Sequence, residues 1–451
     1  MNSSLKSPFL RHGQALIYFA VLLSVCLAIL YISSNLGGER LGLVLLPGLL
    51  LFTYALFSLE LTTYVFAFFL FTQIARGLEL PGGFFLVTAF FFAVWLLHKF
   101  IVRDDQIYLE SNGLLILCYV FFLLVSVLDA RWQTPSYVML WMYAKIFLIY
   151  FVLVDLLNNE RVIQNVIWVI IFSAVFSCLY GVYNFLTNVQ EGNVLEIAFR
   201  LRGVSGNPNI LAINILFAFS FLCYYFLLVY KHWLTRLVLI VAIFAAVAAL
   251  AATVSRAGII ALGVAFMILT WQFRERKWPV ALFLLVAVLA VIYLPEDFVD
   301  RLALILDPEK DPSLRWRFKL YVGAIELIQQ HPFNGVGLGN FTPLSINYIG
   351  KHLDTHNSFL ELWSESGIFA MLTFCAFFVV AFKRLKAAGK KFFECGNMKM
   401  FANCEALQTA LIAFLISAFF NSLQIFNVIW GMFAIVASLD RLAVLQRLDQ
   451  D

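Results

Sequence analysis

Charge is scarce in this chain. Asp, Glu, Lys and Arg make up 13% of its 451 residues, against about a quarter in a soluble globular protein. That shortage excludes a water-soluble fold of this length, and the apolar runs that take its place mark a polytopic membrane protein. Period-two alternation is missing from those runs, so the spans are helices rather than barrel strands. Cys-x-x-Cys pairs are missing too. The seven cysteines (Cys26, Cys118, Cys178, Cys223, Cys375, Cys395 and Cys404) stand singly, most of them within apolar runs. This argues against a disulfide framework or a zinc site. No small-residue cleavage site follows the first apolar run, so no cleavable signal peptide is expected. No internal repeat, low-complexity stretch or soluble domain interrupts the pattern. The net charge of +4 says little, because in a membrane protein the side on which charge falls matters more.

What is present is a fold class: all-α, integral to a membrane, with twelve to fourteen spans. The apolar runs lie at 15–32, 41–57, 61–78, 83–101, 113–129, 136–157, 162–186, 208–230, 233–252, 256–273, 278–294, 368–384, 405–422 and 425–440. Threading them alternately, with Lys6 and Arg11 inside, gathers the basic connections on one side. These are Lys99/Arg103, Arg161, Lys231/Arg236, Arg274/Arg276/Lys277, the cluster Lys383 to Lys399, and Arg441/Arg447. That is the positive-inside pattern, with both termini on the inner side. The chain then divides into spans with short loops at 1–294, a large outer loop at 295–367, and further spans with an inner tail at 368–451.

Three outer connections lead into helices. Asn207-Pro208 reads as a cap followed by a first-turn proline, and Ser255 as a cap. Asp311-Pro312 opens a helix of about 18 residues that stops near His331-Pro332. Its stripe of Leu314, Phe318, Tyr321, Ile325 and Ile328 suits packing on the membrane domain or lying in the interface. Residues 357–366 can form a short helix, with Gly367 as a break before the span.

The candidate chemistry collects at the same outer ends. Arg202 and Arg256 stand at helix starts, where unpaired amides and the dipole favour phosphate; arginines at a membrane border also snorkel to headgroups. Arg315 and Arg317 sit in a first turn, the wrong end of a dipole for cations, which points to an anionic partner. They lie about 200° apart around the helix, so one of them faces a given ligand. His356 is the candidate general base. His331 reads as a helix stop, and His352 as a surface residue. Asn357, Glu361 and Glu365 fall at i, i+4 and i+8, a polar stripe suited to orienting the histidine or an arginine. Lys145 lies about 12 Å below the outer surface, where it either lines a polar cavity or is paired. Gly335, Gly337 and Gly339 lack the strand of a dinucleotide fingerprint and read as a tight turn. The acidic residues Asp307, Glu309 and Asp311 have capping roles beside prolines rather than a metal role.

Three stretches carry a resemblance: RLRGVSGNPNILA at 200–212, TVSRAG at 253–258, and HPFNGVGLGNF at 331–341 followed by HNSFLELWSESGI at 356–368. Together they resemble the O-antigen ligase and polymerase superfamily of bacterial inner membranes. The resemblance implies a GT-C-like membrane glycosyltransferase working without metal, cofactor or nucleotide sugar. The donor it implies is a glycan on undecaprenyl pyrophosphate, and the transfer is to an acceptor hydroxyl on the periplasmic side. In the ligases that acceptor is a sugar of lipid A–core; in the polymerases it is another glycan. The family's loop histidine matches His356, and its pyrophosphate-binding arginines match Arg256 with Arg315 or Arg317, and less closely Arg202. Asn357, Glu361, Lys145 and His352 stand as supporting residues. Up to fourteen runs, where ligases are drawn with twelve, leaves a polymerase open. A lipid-linked glycan transporter is the competing class, but it would bring repeat symmetry and charge spread through the spans.

Overall fold

An apolar segment in hydrocarbon must satisfy its own backbone hydrogen bonds, which is why these runs fold as helices. The computed structural model describes residues 58–74, 83–103, 113–190, 200–275 and 312–448. The protein is an all-α polytopic membrane protein, and among the described residues there is no strand. Runs 15–32, 41–57 and 278–294 lie outside the described residues, as do Lys6, Arg11, Arg276, Lys277, Asp307, Glu309 and Asp311.

The chain forms two compact units, 1–66 with 89–106, and 67–88 with 107–451. α1 (Leu59–Thr72) contributes residues to both, as does α2 (Gly83–Leu97), which continues as a π-helical turn over His98–Arg103. Within the first unit, the rings of Phe66 and Phe91 stack at 3.8 Å.

The second unit continues with α3 (Gly113–Leu128), α4 (Gln133–Leu156), α5 (Glu160–Gln190), α6 (Pro208–Tyr224), α7 (Trp233–Ala252) and α8 (Arg256–Gln272). Next come α9 (Pro312–Gln330), the single turns α10 (Phe341–Leu344) and α11 (Ile346–Ile349), then α12 (Ser358–Glu394), α13 (Met398–Ala418) and α14 (Asn427–Leu448). Seven of the described helices are long and apolar enough to cross a membrane. α6 is the central one. Its residues from Ile210 to Tyr224 are buried, among α5, α7, α8 and α13. A second centre is fully buried Trp430 of α14, ringed by Tyr119, Phe147 and Phe377 with centroids 6.1, 5.0 and 5.1 Å away.

Capping sets the helix starts. Asn207 accepts from the amides of Asn209 and Ile210, with Pro208 in the first turn. Ser255 accepts from Gly258 N, and Asn357 from Phe359 N and Leu360 N. The caps at Asn207 and Ser255 fall where the sequence places them, whereas at Asn357 the sequence predicts only the start of a short helix. Gly367 has φ 81 and ψ 172, which breaks α12 into a short helix and a span. The last two runs shift, however. α13 begins at Met398 under an Asn397 cap and ends at Ala418, so 419–422 form a turn. Hydropathy alone cannot separate an apolar turn from an apolar helix.

α9 runs over the expected length, and its packing face overlaps the expected stripe only in part. Its buried side is Leu320, Ala324, Leu327 and Ile328, of which the first three cluster with Val336, Phe341, Leu344 and Ile349. Phe318 is 70% exposed and Ile325 45%, while Ile328 is buried and Tyr321 half-buried. The stripe of Leu314, Phe318, Tyr321, Ile325 and Ile328 therefore packs only in part, and its exposed members can lie in the membrane interface. Two apolar arcs share this helix, and spacing does not say which one meets protein.

Candidate functional site

Antiparallel packing brings the polar turns to one end of the second unit. Tyr225 Oη donates to Asn403 Oδ1 at 2.8 Å, Phe217 stacks on Phe414, and Gln272 Nε2 donates to Glu405 Oε2 at 3.1 Å. The ends of α6 and α8 therefore lie beside the start of α13. Their own starts, with Arg256, lie toward its C-terminal end. Basic residues mark the opposite end, where Arg384 pairs with Asp440 at 3.7 Å and Arg441 Nη2 donates to Leu157 O at 2.8 Å.

At the starts of α6 and α8, Ser255 Oγ donates to Asn209 Oδ1 at 2.9 Å. A β-carbon on Gly258 would lie 2.9 Å from Ala212 Cβ, so the two N-termini meet side by side. Arg256 is half-buried in the first turn of α8, and Arg202 is exposed on the neighbouring loop. Sequence reasoning passed over Arg200, whose Nε donates to Thr253 O at 3.2 Å and whose Nη2 donates to Val254 O at 3.5 Å. Leu201 N donates to Ala252 O at 2.7 Å. The loop is thus pinned to the turn that presents Arg256. Val254 in that turn has φ 50, a costly conformation for a β-branched residue.

The HPFNGVGLGNF stretch is a strap held by backbone. Val336 N donates to Ser364 O, Gly337 N to Glu365 O, and Ile368 N to Pro332 O, at 2.9, 3.0 and 3.0 Å. Arg131 N donates to Val336 O at 3.1 Å. Asn340 is fully buried; its Oδ1 accepts from Trp132 N at 2.8 Å and its Nδ2 donates to Ser136 Oγ at 2.9 Å. Glu365 Oε1 accepts from Phe341 N at 3.0 Å. The three glycines take φ of 69, 108 and 75, a turn as expected, but one chosen for close approach to other segments as well.

His356 stands on the turn that follows, just before the Asn357 cap. Its φ is 56, so this non-glycine residue is held in the left-handed region. Tyr321 Oη of α9 lies 3.4 Å from both His356 O and Phe419 O, which share its one proton. Burial and then the positive charge of Arg317 lower the imidazole pKa below its ordinary value, partly opposed by the carboxylate of Asp354. A histidine so placed stays neutral and able to accept a proton. Of the two arginines on α9, the half-buried Arg317 is the one whose charge acts on His356, while Arg315 is exposed.

Glu361, 5% exposed, does not reach the imidazole. Its Oε2 accepts from Thr355 N at 3.1 Å and Thr355 Oγ1 at 2.9 Å, and also from Ser422 Oγ. Its Oε1 accepts from Gln424 Nε2 at 2.6 Å. The carboxylate therefore braces the residue before His356 against the turn joining α13 to α14. That turn was not legible in the sequence, because Ser422 falls at the end of one apolar run and Gln424 just before the next. His352 and His331 are exposed; His352 Nδ1 lies 3.3 Å from Thr342 O. Lys145 is half-buried along α4, and no side-chain hydrogen bond joins it to this cluster among the described residues.

Residues 241–375 match the family model described as O-antigen ligase. The match takes in most of α7, all of α8 and α9, the strap, His356 and the first part of α12. No match was found among curated proteins. Less than a third of the chain is covered, and that stretch of this multi-pass membrane protein, which holds Arg256, Arg315, Arg317, His356, Glu361 and Glu365, is similar to the O-antigen ligase family.

Proposed function

We propose that the protein is a glycosyltransferase of the periplasmic face of the bacterial inner membrane, with both termini cytoplasmic. It moves a glycan from undecaprenyl pyrophosphate to an acceptor hydroxyl, foremost a sugar of lipid A–core. The observation that supports this reading is the left-handed turn at His356, a partly buried histidine on which the charge of Arg317 acts. His356 takes the acceptor's proton as its oxygen attacks the anomeric carbon, and the bond to the pyrophosphate oxygen breaks. The electron pair leaves with the lipid pyrophosphate, whose growing charge Arg317 and Arg256 stabilise, helped by the helix start at Ser255. One displacement with one base inverts the anomeric centre. No step calls for a metal or cofactor.

A polymerase shares the donor chemistry, and its acceptor is a second lipid-linked glycan. Purified protein incubated in EDTA with undecaprenyl-pyrophosphate-linked glycan, with and without lipid A–core, separates the readings. Glycan on lipid A–core supports the ligase. Longer lipid-linked chains without added acceptor would make the protein a polymerase. Donor crossing a proteoliposome bilayer with neither product would replace both with a transporter.

A further inference from the structure

The turn between α13 and α14 lies outside the residues matched to the ligase family, yet it holds half of the Glu361 carboxylate. Ser422 and Gln424 donate to the two oxygens from one side, and Thr355 donates through its amide and hydroxyl from the other. Burial first, and then the charge of Asp354, raise the Glu361 pKa, and the hydrogen bonds from Ser422, Gln424 and Thr355 oppose that rise, so the ionised carboxylate depends on its donors. Where Ser422 and Gln424 sit therefore decides where Glu361 sits, and Glu361 in turn fixes Thr355. Thr355 Oγ1 accepts from Asn357 N at 3.0 Å and lies 2.8 Å from Asn357 O, which competes with Glu361 for its one proton, so it reaches past His356 to the residue that follows. The left-handed backbone at His356 persists only where its surroundings over-determine it, and this chain of bonds is what does so.

Gln424 supplies a second observation. Its side chain is 4% exposed, its Nε2 donates to Glu361, and its Oε1 meets no partner among the described residues. A buried amide with an idle oxygen is costly, and an apolar side chain of the same size would avoid that cost. What the amide does here is hold the carboxylate. The same turn is joined to the site twice more, through Ser358 Oγ donating to Asn421 O and Leu423 N donating to Ser358 Oγ, both at 2.7 Å.

We propose that Ser422 and Gln424 are positioning residues for His356, acting through the carboxylate of Glu361. The inference rests on the reading of His356 as the base. The charged and titratable groups facing that histidine are Arg317 and Tyr321 of α9 and Asp354 of its own turn, with Glu361 of α12 behind Thr355.

The test compares Gln424→Leu, Ser422→Ala and Ser422→Thr in the full chain, reconstituted with the lipid-linked donor and acceptor, with His356→Ala alongside. Gln424→Leu should lower kcat about 100-fold, as a misplaced catalytic group does, with donor KM within about twofold. Ser422→Ala should lower it about tenfold, and Ser422→Thr, which keeps the hydroxyl, should recover most of the loss. The acidic limb of the pH–rate profile should move up toward an ordinary histidine as the imidazole leaves its buried place beside Arg317. Folded variants with wild-type kcat and an unmoved limb would overturn the proposal. So would a loss shared equally by Ser422→Ala and Ser422→Thr. If Gln424→Leu does not fold, the two Ser422 variants decide. Transfer by His356→Ala would sink the base assignment, whereas a dead His356→Ala beside a normal Gln424→Leu would sink the positioning alone.

Discussion

A β-carbon on Gly335 would lie 2.2 Å from the carbonyl carbon and oxygen of Glu365, and Gly335 has φ 69. The strap and the short helix of α12 thus meet backbone to backbone, with no side chain that could yield. Gly335→Ala should cost about 2 kcal/mol or more through the left-handed backbone and the clash together. Thermal unfolding of the detergent-solubilised protein measures it. A midpoint unchanged from wild type would mean the strap is not held as described.

Asn340 makes a separate prediction. Its side chain satisfies both the amide and the carbonyl of Trp132, at 2.8 and 3.1 Å, in a fully buried place. Asn340→Ala leaves the Trp132 amide without its acceptor, while Trp132 O keeps Ser136 Oγ at 3.3 Å, and the loss should cost about 2 kcal/mol. Proteolysis within 331–357 should quicken along with the fall in unfolding temperature.

Arg317 and Arg315 differ by two positions and by exposure. If Arg317 meets the leaving pyrophosphate, Arg317→Gln should lower kcat/KM by about 100-fold, and Arg315→Gln by far less. Steady-state kinetics on the two variants decides, and equal losses would remove the distinction.

The pH dependence follows from His356. Its pKa is lowered, first by burial and then by Arg317, so the neutral base survives below the pH at which an ordinary histidine protonates. The rate should therefore hold to below about pH 6.5 before falling, and Arg317→Gln should shift that fall upward. Stability has the same sign. The unfolded chain takes up this proton first, so the folded state loses stability as pH drops from about 6.5 through the lowered value. A rate that declines already above that point in the wild-type enzyme would contradict the assignment.

Local signals were readable in the sequence, and contacts across the chain were not. Asn207-Pro208, Ser255, Pro312 and Gly367 each act within a few residues, and each behaves as its chemistry dictates. The glycines of the strap read as a turn, but nothing in 331–341 names Glu365, Ala130 or Pro135 as the groups they approach. Arg202 drew attention by its place before a helix, whereas Arg200 earns its role from carbonyls some fifty residues away. Asn357, Glu361 and Glu365 share a stripe as expected, yet they serve three different partners: a helix start, the His356 turn and the strap. Ser422 and Gln424 border apolar runs, and only the folded chain gives them a carboxylate to hold.

The central claim is that His356 removes the acceptor's proton. The most direct measurement is single-turnover transfer from undecaprenyl-pyrophosphate-linked glycan by His356→Ala, beside donor binding by the same preparation. The account predicts that binding persists while transfer falls by at least about 100-fold. A folded His356→Ala protein that transfers glycan at close to the wild-type rate would contradict it.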